Sequence, residues 1–162
     1  MTVAQYNQCV EAYADGVYRF ILKNMRDEDE ARDVVQESYA RMWEKAANVN
    51  YSKAKSYLFS TAYHTMIDRI RKSQRLSPVE EETFEEPEHT QSSYSDLQDV
   101  LNRALETLPE TQKHVVLLRD YEGYSYDEIG QITNLNASQV KVYIYRARKA
   151  LKNYIGSLDK VL

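Results

Sequence analysis

Apolar residues recur in steps of three and four along most of this chain, the spacing that gathers them on one side of a helix. The first such stretch is predicted from Val3 to Asn24, opened by Thr2 and Gln5 at capping-box spacing. A second starts near Asp27, where Ala31, Val34, Val35, Tyr39, Met42, Trp43 and Ala46 form one broad stripe. Because they continue that stripe, Tyr39 and Trp43 are expected in the core. Asn48 to Tyr51 reads as a loop. Ser52 is then predicted to cap a third helix reaching Arg75, with Leu58, Phe59, Ala62, Tyr63, Met66, Ile67 and Ile70 turned inward.

The period fails from Leu76 to Tyr94, a stretch with two of the three prolines and many Glu and Ser. Such composition predicts a flexible, self-repelling linker. Four more helices are predicted beyond it. Ser95 is expected to cap the first, which carries Leu97, Val100, Leu101, Ala104, Leu105 and Leu108. Pro109 opens the next, where a missing N–H costs nothing, and Gly123 ends it. No alternating strand pattern or internal repeat is evident. The fold class read from this pattern is all-α: two small helical domains, 1–75 and 96–162, joined by a flexible acidic linker, 76–95.

The last two helices are announced in quick succession. Ser125 and Glu128 form one capping box, and Asn136 and Gln139 a second, less typical one. Thr133 to Leu135 is short enough for the turn of a helix-turn-helix. On the final helix Val140, Ile144, Ala147 and Leu151 define the buried stripe. The opposite face then collects Ser138, Gln139, Val142, Tyr145, Arg146 and Lys149, with Lys141 and Arg148 on one flank and Tyr143 on the other. A DNA major groove admits such a helix, with early side chains at base edges and later basic groups at phosphates. Gln139 and Val142 suit base edges; Lys141, Arg146 and Lys149 suit phosphates. The same pattern also fits an amphipathic helix with a solvated basic face.

Charge changes the picture once it is divided along the 162 residues. The net charge of −4 is unpromising for a nucleic-acid binder. Yet from Met1 to Arg75 12 Lys/Arg face 10 Asp/Glu, and from Val100 to Leu162 nine face seven. All of the deficit lies between Leu76 and Asp99, with eight acids and no Lys or Arg. Two mildly basic blocks therefore flank an acidic connector.

Other chemistry is sparse. Cys9 is the only cysteine, so no intrachain disulfide forms, and it is expected to be a small buried side chain. No metal site or cofactor is expected, since His64, His89 and His114 lack ligand spacing. No apolar run approaches the ~20 residues of a membrane span, and Met1 to Val10 lacks a secretory pattern, so no membrane insertion and a cytoplasmic location are expected. No paired nucleophile and base or phosphate-cradling Gly loop argues for an enzyme. Helix-turn-helix regulators that act without polymerase remain a rival at this point, as does an interaction module that has lost DNA binding.

Three stretches, in order, carry a family resemblance. Asp29 through Trp43 (DEARDVVQESYARMW) resembles the polymerase-binding helix of bacterial RNA polymerase sigma factors. Tyr57 through Arg71 (YLFSTAYHTMIDRIR) resembles the helix that follows, used at the promoter −10 element. Leu108-Pro109-Glu110, then Tyr121 through Gly130 (YEGYSYDEIG), then Val140-Lys141 and Arg146 through Leu151 (RARKAL), are similar to the −35-binding domain. Lacking a dedicated region one or large region three, the chain is identified as a member of the small extracytoplasmic-function group of the sigma-70 superfamily.

The resemblance implies a sigma factor that binds core RNA polymerase and directs promoter-specific initiation by recognising −10 and −35 elements. Asp33, Gln36 and Glu37 match positions that dock on core polymerase. The implied −10 contacts are Asn48, Tyr51, Lys53, His64, Arg69, Arg71 and Lys72, with Asn48 to Tyr51 at the family's specificity-loop position and Tyr51 as a stacking partner. The implied −35 contacts are Ser138, Gln139, Lys141, Val142, Tyr145, Arg146 and Lys149. An anti-sigma factor is an implied further partner, and the acidic linker resembles the segment threaded through polymerase toward the RNA path. Two positions depart from the family pattern: His64 stands where many members have Asn, and Tyr143 where an Arg commonly meets DNA.

Overall fold

The computed structural model of the chain describes residues 1–76 and 93–159, and these are helical with no strand among them. The acidic run Glu80 to Glu88, and His89, lie outside the described residues. Helices α1 (Val3–Met25), α2 (Glu28–Glu44) and α3 (Ala54–Leu76) form one group. Helices α4 (Ser93–Glu106), α5 (Glu110–Val116), α6 (Tyr126–Thr133) and α7 (Ala137–Asp159) form the other. A π-helical turn, Leu117–Tyr121, prolongs α5.

Local signals account for most ends. The Thr2 hydroxyl accepts from the Gln5 N–H at 3.1 Å while the Gln5 side chain accepts from the Thr2 N–H at 2.9 Å, closing the box at the start of α1. Asp27 caps α2 by accepting from the N–H groups of Asp29 and Glu30. Arg26 and Asn134 end α1 and α6 in the left-handed conformation, where the chain must turn away from the helix axis. One expected cap is wrong. Ser52 does not cap α3: two 3₁₀ turns, Ala46–Asn48 and Tyr51–Lys53, precede it, and Asn50 accepts from the Ser52 N–H. Asn50 wins because its longer side chain reaches two residues on, an Asx turn. Similarly, α4 starts at Ser93 rather than after Ser95.

The stripes bury nearly as expected. Cys9, Val17, Phe20 and Ile21 from α1, Ala31, Val34, Tyr39 and Met42 from α2, and Leu58, Phe59, Ala62, Tyr63 and Met66 from α3 are core residues. Two aromatic or aliphatic positions depart. Trp43 is 50% exposed, edge-to-face with Tyr6 at 4.9 Å between ring centres, because α2 ends one residue later and no further described element covers its final turn. Leu97 is 57% exposed on α4.

The two groups share one core, which the linker composition concealed. α6 packs across α3, and Tyr124, 1% exposed, meets Phe59 edge-on at 4.8 Å between ring centres. Around this contact Arg19 grips Glu122 through two hydrogen bonds of 3.0 and 2.9 Å. Lys23 lies 3.5 Å from the Tyr121 ring centre and Lys55 4.4 Å from that of Tyr124. The π turn has a purpose here: it swings Tyr121, Glu122 and Tyr124 toward α1 and α3.

Candidate nucleic-acid interface

The helix-turn-helix is made by α6 and α7. Its turn is tight: a Cβ on Gly130 would stand 2.9 Å from the Leu135 carbonyl oxygen, so only glycine lets the turn fold back on α6. Asn136 accepts from the Gln139 N–H at 2.8 Å, and the Gln139 side-chain oxygen accepts from the Asn136 N–H at 3.0 Å. The second capping box is therefore formed. It also restricts Gln139: its carbonyl oxygen is committed to the cap, which leaves its amide N–H groups for a base.

Val140, Ile144 and Ala147 are buried, Leu151 half-buried. Ser138, Gln139, Lys141, Val142, Tyr145, Arg146 and Lys149 are all exposed, so the structure brings the proposed −35 set onto one face. Arg148 stands apart. Its guanidinium donates to Asp120 (3.1 Å from Nε), which ties α7 to the π turn and holds the guanidinium firmly charged. Tyr143 is half-buried against the core. Neither belongs to the free face.

The proposed −10 residues are strung along α3 rather than gathered. Asn48, Tyr51 and Lys53 sit at its start and Arg71 and Lys72 near its end, about 27 Å away at 1.5 Å per residue. No single nucleotide meets both ends. Tyr51 is exposed, and its hydroxyl donates to Gln8 at 3.1 Å. His64 lies midway, half-buried, 3.5 Å from the Asn134 amide of the helix-turn-helix turn. Arg69 is turned toward α2, where it donates to Glu37 at 2.9 Å with Asp33 4.0 Å away. The arginine expected at DNA thus pairs with the acids expected at polymerase. Asp33 and Gln36 are exposed on the same side of α2. The Arg69 hydrogen bond, opposed by partial burial, holds the Glu37 carboxyl below the usual carboxylate range.

Beside His64 is a groove of about 470 Å³ lined by Arg41, Glu44, Lys45, Tyr57, Ser60, Thr61 and His64. Arg41, Lys45 and Tyr57 escaped the sequence reading because they come from the end of α2 and the start of α3 and follow no shared spacing. Lys45 leads directly into the 46–53 turns, and the lining combines an aromatic ring, two cations, a carboxylate and hydroxyls. No group of three or more His, Cys, Asp or Glu able to hold a metal occurs among the described residues. None of the described helices is long and apolar enough to cross a membrane.

Comparison with known proteins assigns both helical groups to one family. Residues 9–76 match the model of sigma-70 region 2, and residues 98–151 that of sigma-70 region 4. The chain is 30% identical over 153 residues to the RNA polymerase sigma factor SigV of Bacillus subtilis, covering 93% of this chain and 91% of that protein. It is 25% identical to the ECF RNA polymerase sigma factor SigM of the same organism, covering 90% and 92%. Its fold resembles the sigma factor RpoE from Bartonella quintana, solved with the anti-sigma factor NepR, at a TM-score of 0.77 and 20% identity over 95% of this chain and 98% of that one. CnrH, solved with the cytosolic domain of CnrY, gives 0.70 and 21% over 94% and 88%. The chain belongs to the sigma-70 family, in its extracytoplasmic-function branch, and directs promoter-specific transcription initiation.

Proposed function

We propose a division of this work among named residues. Asp33, Gln36 and Glu37 on α2 dock on core polymerase. The α2–α3 groove with Tyr51, Lys53 and His64 takes a base extruded from the −10 element, and Arg71 and Lys72 follow the backbone of the opened strand. The α7 face reads the −35 duplex, with Gln139 and Val142 toward base edges and Lys141, Arg146 and Lys149 at phosphates. The observation that carries the reading is that face: six exposed residues opposite a buried stripe, with Lys141 exposed on its flank, opened by a formed capping box. Extrusion costs a few kcal/mol, which ring stacking and the groove's cations offset.

The solved structures of two relatives extend the proposal. RpoE was solved with the anti-sigma factor NepR and CnrH with the cytosolic domain of CnrY, which supports an anti-sigma partner for this chain. The chain acts in the cytoplasm, where polymerase is, and works as a binding protein rather than an enzyme. In vitro transcription with core polymerase and a promoter library tests the whole reading. Initiation that depends on this protein and shares −10 and −35 elements supports it. Identical transcripts with and without the protein overturn it.

A further inference from the structure

The contact between the two helical groups contains a buried histidine that the promoter-binding roles do not use. His114 on α5 is 3% exposed, and its Nδ1 lies 3.0 Å from the Tyr63 hydroxyl on α3. Its imidazole sits edge-on to Tyr63 at 5.2 Å and to Phe20 of α1 at 6.5 Å. Both aromatic neighbours belong to the N-terminal group, so the ring is dry only while the two groups touch. Separation would hand it to water.

We propose that the Tyr63–His114 contact is an acid-released latch, and that protonation of His114 separates α4–α7 from α1–α3.

The argument is one of burial and charge. A neutral imidazole accepts the Tyr63 hydrogen bond through Nδ1 and leaves no charge in the apolar contact. An imidazolium there is a buried cation beside Lys113, whose ammonium already holds Glu106 at 2.6 Å. Among the described residues, the ionisable groups lining the pocket beside the ring are Tyr63, His64, Asp68 and Arg71 from α3 and Glu110 from α5; Thr133 of α6 also lines it, and Phe20 of α1 meets the ring. Tyr63 is itself pushed up by burial, so it supplies no counter-charge. Burial, with Lys113 adding to it, depresses the His114 imidazole to about 4 from 6.5. A group depressed in the closed form and ordinary in the open form favours closure above its open value and loses that contribution as pH falls. The closed-to-open ratio therefore drops about 30-fold between pH 8 and pH 5.

The latch has a consequence that rests on the division of roles proposed above. While closed, Asn134 of the helix-turn-helix turn lies against His64, so the −10 and −35 surfaces cannot spread onto separated DNA elements. Acid loosens that arrangement in the free protein. Polymerase is not needed for the latch to open.

The test uses the full chain without polymerase or DNA, so its failure is distinct from failure of the promoter reading. Nuclear magnetic resonance follows the His114 and Tyr63 rings from pH 8 to pH 4.5, with small-angle scattering and helical circular dichroism at each point. The expected result is that His114 titrates below the ordinary histidine range, that the Tyr63 and Tyr124 ring signals change with the same midpoint, and that the radius grows while helicity holds. His114→Gln should remain closed and lose this pH response; His114→Lys should be open already at pH 8, with native helicity. Tyr63→Phe keeps the packing, lacks the hydrogen bond, and should move the midpoint upward. The proposal is overturned if His114 titrates without any change at Tyr63 and Tyr124. An unchanged transition in His114→Gln, or an intact contact down to pH 4.5, overturns it equally.

Discussion

Arg69 on α3 donates to Glu37 on α2 at 2.9 Å, and Glu37 also accepts from Arg41 at 2.7 Å. One carboxylate therefore joins the helix assigned to polymerase with the helix assigned to the −10 element. Arg69 acts here as a strut between α3 and the Glu37 carboxylate.

A double-mutant cycle checks the strut. Glu37→Gln and Arg69→Gln should show a coupling of about 0.5–1 kcal/mol in urea unfolding, small because both side chains are about a third exposed. Glu37 is depressed in the folded chain, so this stability is present above the ordinary carboxylate value and disappears as pH falls through the lowered one. The coupling should vanish at acid pH and shrink in salt. Arg69→Gln should also weaken core-polymerase affinity while leaving −10 base preference unchanged.

Gln139 has two jobs that one substitution separates. Gln139→Glu keeps an acceptor for the Asn136 N–H, so thermal stability should hold, whereas −35 duplex binding should collapse because a carboxylate replaces the amide donors. Asn136→Ala should do the reverse, costing about 1 kcal/mol of stability with the preferred −35 sequence retained. Melting curves beside a promoter-library selection distinguish the two.

Arg146, Lys149 and Arg148 share α7 but not a role. Arg146→Ala or Lys149→Ala should weaken binding to every −35 sequence alike and lower the salt slope by about one. Arg148→Ala removes the tie to Asp120 and should appear as lost stability, with the salt slope nearly unchanged. Fluorescence anisotropy over a salt series measures this. Equal slopes for all three variants would place the wrong face in the groove.

Gly130→Ala should destabilise the C-terminal group by about 1–3 kcal/mol, since the added methyl meets backbone rather than a movable side chain. Thermal unfolding reads the loss directly. A variant as stable as the parent would mean that the turn relaxes freely.

Periodicity was enough to place the helices and most of their buried faces, because a three-and-four spacing has one geometric solution. The capping boxes at Thr2 and Ser125 were equally plain, and the less typical one at Asn136 was legible too, since each is made by residues three apart. The α7 face followed from the same local logic, Arg146 and Lys149 included. Relationships across helices were not legible. Trp43 continued a stripe that nothing arrived to cover, and Arg69 turned to Glu37 because α2 packs there. The groove of Arg41, Lys45, Tyr57 and His64 exists only once the end of α2 and the first half of α3 come together. Least visible of all was the contact of Tyr63 with His114, 51 residues apart across a stretch whose composition reads as a tether. Local pattern determines which faces are apolar; only the packed chain decides which of them meet, because burial is a property of pairs of surfaces.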